Sequence, residues 1–150
     1  MTKIISIKTK FGWISASEYK KKIYKIRFGK SKKQNNSKIL SVFKKNLTKF
    51  LNKKALKINS PYKIEGTKIQ KKIWNELRKI KVGETRSYGS IAKKHKISPR
   101  EVGKICSKNK LLLSIPCHRV IRSDGSIGGF TSLGGIKLKK KLLKFEQSWK

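Results

Sequence analysis

A chain of 150 residues can form one ordinary domain or two small ones sharing an interface. Its 41 Lys and Arg against 7 Asp and Glu give a formal net charge of +34, and 36% apolar residues suffice for a core at the low end of globular chains. No window approaches the roughly 18 uninterrupted apolar residues of a membrane span, and Met1–Lys10 lacks the apolar run of a secretory signal. A soluble intracellular protein is expected.

The elements follow in chain order. Residues 3–9 read as a strand with Ile5 and Ile7 on one face; 11–17 give a second, with Gly12 near the connecting turn, and the alternation over 23–28 a third. After a polar loop from Ser31 to Asn36, Ser37 caps a helix carrying Ile39, Leu40, Phe43, Leu47, Phe50 and Leu51 at three- and four-residue spacings. Asn59, Ser60 and Pro61 mark a linker, so the domain boundary is placed near residue 60.

The second half begins with a helix from about Thr67 to Ile80, apolar at Ile69, Ile73, Leu77 and Ile80 with Trp74 beside them. A turn over Val82–Thr85 leads to Ser87, which caps a short helix from Tyr88 to about His95. Ser98 at the N-cap, Pro99 at the first helical position and Glu101 completing a capping box start the next helix. Two short helices with a tight connection, the second opening on Arg100, have helix-turn-helix spacing. Leu111–Ile115 reads as a strand; Val120–Arg122 pairs with Ser126–Ile127 across an Asp124-Gly125 turn to make a wing. A last helix runs from about Gly135 to Trp149. His95 reads as helix-terminal or solvent-facing, the Lys139–Lys141 run as a solvated face or a phosphate-tracking stripe, and Trp13, Trp74 and Trp149 as core or interface anchors.

A pI near 10.6 fits a partner with phosphates, because each one neutralised releases condensed counterion. Only 6 of the basic residues are Arg, however, and the Lys, Ile and Asn excess also fits an AT-rich coding bias. Charge alone therefore states affinity for polyanions and no function. Two cysteines, Cys106 and Cys117, make neither a disulfide framework nor a C-x-x-C pair, and with two histidines in the chain no closed metal site is expected. Cys117 follows Pro116 at the end of an apolar run, with His118 and Arg119 supplying a base and a cation within two residues. That environment suits a thiolate nucleophile; a buried structural cysteine is the alternative.

The stretch Pro116-Cys117-His118-Arg119-Val120 resembles the active-site signature of the O6-alkylguanine-DNA alkyltransferases, the methylated-DNA–protein-cysteine methyltransferases. The resemblance extends through Val82–Tyr88, Pro99–Gly103, Asn109, Gly128–Phe130, Gly134-Gly135 and Leu142–Glu146, and more weakly Phe11–Ile14, so it covers nearly the whole chain, with a length like that of the compact archaeal members. It implies an α+β fold: an N-terminal α/β lobe with an antiparallel sheet over 1–60, and a C-terminal winged helix-turn-helix domain over 61–150. It further implies repair of DNA by direct, single-use transfer of an alkyl group to Cys117. In that scheme His118 deprotonates the thiol through a bridging water, Glu146 orients the imidazole, and Asn109 braces the bend. Tyr88 crowds the target phosphate and helps rotate the nucleotide out, while Arg100 fills its place in the stack. The backbone at Cys117 and Val120 accepts from the guanine amine, Tyr88 and the Phe130-Thr131 loop donate to the base, and Ser87 and Arg119 complete the DNA-facing set. No cofactor is implied. The partner is double-stranded DNA carrying O6-alkylguanine, met by a monomer in the cytoplasm at the nucleoid, or in a nucleus.

Four positions depart from the family pattern. Phe145 stands where a His precedes the glutamate, Lys110 where a Pro is common, Lys141 where a Trp is frequent and Glu101 where a small residue is usual. Cys106 on the second short helix reads as a small core residue or as a second thiol near the pocket.

Overall fold

The alternation over the first 28 residues folds into three antiparallel strands, β1 (Lys3–Thr9), β2 (Gly12–Tyr19) and β3 (Lys22–Phe28), in the order β1-β2-β3. The register sets Ile7 opposite Ile14, Ile14 opposite Phe28 and Ala16 opposite Ile26, so their side chains share one face. Helix α1 (Lys38–Leu51) covers that face with Leu40, Phe43, Leu47 and Phe50, all buried; Ser37 Oγ accepts from Leu40 N at its start. Each such side chain stabilises the fold by about 1.5–3 kcal/mol. The structure, a computed structural model, describes residues 1–130 and 132–149.

The chain divides into two units, Met1–Glu65 with Lys110–Ser114, and Gly66–Asn109 with the residues from Ile115 onward. The boundary thus falls five residues after the one read from the linker, and the first unit also takes in a later piece of chain. Ile26 N donates to Lys110 O (2.8 Å) and Leu112 N to Ile26 O (3.3 Å), a single parallel bridge at Leu111. The strand expected over Leu111–Ile115 therefore does not form. Leu113 adopts a left-handed backbone (φ 72°), which turns the chain before a ladder can extend.

The second unit contains α2 (Lys68–Leu77), β4 (Arg86–Ser87), α3 (Tyr88–His95), α4 (Pro99–Ser107), a 3₁₀ turn at Cys117–Arg119, β5 (Val120–Ile121) and α5 (Gly135–Gln147). Thr67 and Gln70 form a reciprocal capping box on α2, while Ser87 and Ser98 accept from the third residues of α3 and α4. Ser98 accepts from Glu101 N, but the Glu101 carboxylate returns no bond to the cap among the described residues, so that box is half made. Lys96, left-handed at φ 57°, makes the tight step between α3 and α4. Trp74 Nε1 donates to Ile105 O (3.0 Å) and ties α2 to α4.

The expected wing is not a hairpin. β5 pairs in parallel with β4, Arg86 opposite Val120 and Ser87 opposite Ile121. Across the Asp124-Gly125 turn, Arg122 N donates to Ser126 O (2.9 Å), and the Asp124 carboxylate holds Ser126. One backbone bond closes this turn, and no ladder extends from it among the described residues. No helix of the described residues is long and apolar enough to cross a membrane.

The β2–β3 turn places Lys20 and Lys21 both at positive φ (49° and 65°), with Glu18 Oε2 accepting from Lys21 N (3.3 Å). Replacing the pair by Asn-Gly, the residues that favour this turn, should stabilise the protein by about 1 kcal/mol, measured as a raised Tm with unchanged circular dichroism.

Candidate active site

Cys117 opens the 3₁₀ turn that follows Pro116 and lines a cleft of about 620 Å³ together with Tyr88, Arg100, Gly103, Cys106, Gly128 and Phe130. That volume lies within the roughly 300–1,000 Å³ of small-molecule sites. One face of α4 supplies Arg100, Gly103, Cys106 and Ser107; α3 supplies Tyr88 from its first position. Gly128 (φ +77°) has to be glycine, since a Cβ there would lie 3.2 Å from the Tyr88 ring in a backbone conformation that side chains disfavour.

Cys117 is 5% exposed. Asn109 Nδ2 donates to Ile115 O (2.8 Å) and to Cys117 Sγ (3.3 Å), so one amide fixes the bend and touches the sulfur. Burial pushes the Cys117 thiol up; the Asn109 bond and the charge of Lys139 oppose this.

Beside it lies a buried ionic group. Glu146 of α5 is 1% exposed and accepts from His118 Nε2 (2.9 Å) and from Arg119 Nε and Nη2 (both 2.8 Å); Arg119 Nη1 donates to Ile80 O (2.6 Å). Burial alone would raise the Glu146 carboxyl, but the bonds from Arg119 and His118 outweigh it and hold it at about 2. Burial lowers the pKa of His118, with Glu146 acting in the opposite sense. A charged Glu146 only accepts, so Nε2 carries the imidazole proton and Nδ1 keeps its lone pair, ready to take another. Among the described residues no direct hydrogen bond joins His118 to Cys117.

Lys139 overturns its sequence reading. It is fully buried, and its Nζ donates to Val120 O (2.6 Å), Gly129 O (3.2 Å) and Tyr88 Oη (3.4 Å) while lying 5.6 Å from the Tyr88 ring centre. Desolvation lowers its pKa, and the Cys117 and Cys106 thiolates would raise it. Burial pushes Tyr88 up to about 12, so the phenol keeps its proton, and pushes Cys106 to about 12, so that thiol stays neutral.

The sequence-derived residues therefore separate. Cys117, Tyr88, Arg100 and Phe130 share the cleft, with Asn109 on the sulfur and His118–Glu146 behind it. Val120 is buried, its carbonyl already accepting from Lys139. Ser87 caps α3. Arg119, expected to face DNA, is instead 6% exposed and committed to Glu146 and Ile80, because the buried carboxylate needs a cation. Thr131 lies outside the described residues. His95 ends α3 as expected, yet its ring is turned to Glu76 (3.3 Å), with only 9% of the side chain exposed.

The architecture and the site define a protein whose second unit sets a buried cysteine at the wall of a cleft between two short, tightly connected helices. The family model for the 6-O-methylguanine DNA methyltransferase DNA-binding domain matches residues 68–148, and the chain belongs to that family. A methylated-DNA–protein-cysteine methyltransferase of Metallosphaera sedula is 36% identical over 141 residues, 92% of this chain and 88% of that protein. The one from Methanocaldococcus vulcanius is 50% identical over 86 residues, 57% of this chain, a match that spans about half of that relative's length (52%). Among solved structures, Mycobacterium tuberculosis OGT in complex with DNA superposes with a TM-score of 0.87 at 26% identity, covering 97% of this chain and 93% of that one.

Removing the charge with Glu146→Gln should destabilise the protein by about 3–5 kcal/mol at pH 7, since Arg119 is left buried without its partner. Glu146 titrates lower in the folded state (about 2) than its ordinary 4.5, so its contribution is fully present above 4.5 and is lost as pH falls through about 2. Urea melts should thus show the gap between wild type and variant closing over that interval.

Proposed function

We propose that this protein reverses O6-alkylguanine damage in double-stranded DNA by one irreversible transfer of the alkyl group to the Cys117 sulfur. One observation carries the reading: a buried Cys117 lines a base-sized cleft, and the next residue of its 3₁₀ turn, His118, forms a buried imidazole–carboxylate pair with Glu146. Family membership and the DNA complex of the Mycobacterium tuberculosis protein support the choice of DNA.

A thiol at the wall of a cleft cannot reach a base inside a stacked duplex, so the nucleotide has to be extruded, at a cost of about a few kcal/mol. Arg100 is exposed at the cleft and can occupy the gap, while Tyr88 at the start of α3 crowds the backbone being rotated. His118 Nδ1 takes the thiol proton through a bridging water, and Glu146 stabilises the imidazolium that results. The sulfur then attacks the alkyl carbon. The S–C bond forms as the C–O6 bond breaks, and the electron pair leaves on the guanine, whose developing charge is met by the proton of Tyr88. Lys139 holds that phenol at its oxygen and supplies the positive charge that favours the thiolate. The product is a thioether without a ready leaving group, so each molecule acts once; the step needs one Cys117 per lesion, no cofactor and no second copy of the chain.

Incubation with a duplex carrying one O6-methylguanine should add a single methyl group to the intact mass, capped at one per protein and absent from Cys117→Ala. Repeated turnover, or an adduct on the alanine variant, would overturn the assignment.

The pH profile distinguishes base-assisted from unassisted attack. His118 acts as a base only when neutral, and burial lowers its pKa below the ordinary 6.5. The wild-type rate should therefore be level from neutrality upward and fall only in more acidic solution. His118→Asn should react about 10²–10⁴-fold more slowly near neutrality, with a rate that keeps climbing past pH 9 as the raised Cys117 thiol ionises.

A further inference from the structure

Glu76 of α2 belongs to no part of the cleft, yet it is 4% exposed and gathers four basic side chains. Arg86 Nη1 donates to Oε2 at 2.6 Å and Lys94 Nζ to the same oxygen at 2.9 Å; His95 Nε2 stands 3.3 Å and Lys79 Nζ 3.6 Å from Oε1. Burial would raise this carboxyl, but the bonds from Lys94, Arg86 and His95 prevail and hold it at about 2, so it stays charged at any working pH.

The positions of those partners along the chain matter more than their number. Arg86 lies two residues before Tyr88; Lys94 and His95 form the last turn of α3. One carboxylate thus grips α3 at both ends. Otherwise α3 packs chiefly on α4 through Ile91 and Ala92, the two of its eight residues that are buried, and a two-turn helix is not stable alone. On its other side the Arg86–Ser87 step pairs with Val120–Ile121, three residues beyond Cys117. The placement of Tyr88 therefore depends on a backbone ladder and a salt-bridge cluster at its backbone and on Lys139 at its hydroxyl. Without the carboxylate, Arg86, Lys94, His95 and Lys79 would be left crowded together, and their repulsion would loosen the seat of α3.

We propose that Glu76 is a positioning residue for duplex repair: by clamping both ends of α3 it holds Tyr88 where it can rotate the alkylated nucleotide into the cleft. The proposal rests on the functional reading above. It separates Glu76 from a residue that merely stabilises the fold, because Tyr88's part in rotation matters for a nucleotide in a duplex and far less for a free base that diffuses in.

The experiment compares single-turnover alkylation of Cys117 by saturating O6-methylguanine duplex with that by the free O6-alkylguanine base. Glu76→Gln should slow the duplex reaction about tenfold more than the free-base reaction, which uses the Tyr88 proton but needs no rotation. In a Tyr88→Ala background the same change should add little. Lys94→Met removes one arm of the clamp from a half-exposed side chain and keeps the test open if the glutamine variant does not fold; it should produce a smaller loss of the same selectivity. Lys93→Met, an equal charge change on an exposed neighbour without the Glu76 contact, should leave the ratio unaltered. Parallel slowing of both reactions, an unchanged duplex rate, or an equal effect of Lys93→Met and Lys94→Met would overturn the proposal. A wild-type protein that transfers nothing to Cys117 would instead sink the functional reading.

Discussion

A buried charge organises the second unit. Glu146 sits on the last helix, and its two oxygens are divided between the guanidinium of Arg119 and the imidazole of His118. An isolated carboxylate in that position would be far too costly to bury, so each partner is obligatory. Arg119 extends the arrangement to the carbonyl of Ile80, just beyond α2. The 3₁₀ turn carrying Cys117 is thereby joined to the ends of two helices distant in sequence, and the orientation of the imidazole follows from the arrangement that keeps the carboxylate ionised. Stability and chemistry here draw on the same atoms.

Much of this was legible from residue order. Period-two alternation marked the three strands, and three- and four-residue spacing marked α1 with its buried Leu40, Phe43 and Leu47. Ser37, Ser87 and Ser98 announced three helix starts because capping is a local bond between a side chain and a backbone three residues on. The cysteine, its histidine and the glutamate were readable through a motif, and the structure brings them together. What failed was non-local. That Val120–Ile121 pairs sideways with Arg86–Ser87 depends on which backbone groups meet in space, and nothing within the segment encodes that partner. Leu113 offered no sign of a left-handed backbone, a state that local propensity assigns to glycine or asparagine.

The lysine excess hid the most informative charges. Lys139 was read with Lys140 and Lys141 as solvated, though it stands three, four and seven residues before Leu142, Leu143 and Glu146, the spacing of one helix face. Glu76 likewise falls among Ile69, Ile73 and Ile80 at heptad intervals, a carboxylate within an apolar stripe. In a chain with 7 acidic residues, finding two of them on apolar stripes is itself a signal, and both prove to be buried hubs for cations. Scattered basic residues reflect composition; the ones converging on a buried anion hold the fold together.

The path of the chain around residues 110–114 bears on how such a protein can be divided. Those five residues complete the sheet-bearing unit through Ile26, although they immediately precede the segment that leads to Cys117. A fragment beginning at Gly66 would carry Leu111, Leu112 and Leu113, all buried in the whole chain, with β3 missing from beside them. A cut there would therefore expose three leucines that the whole chain buries. During synthesis the sheet must wait for a stretch of polypeptide more than eighty residues downstream of Ile26 before its last backbone bonds close, so these contacts are among the slowest to assemble.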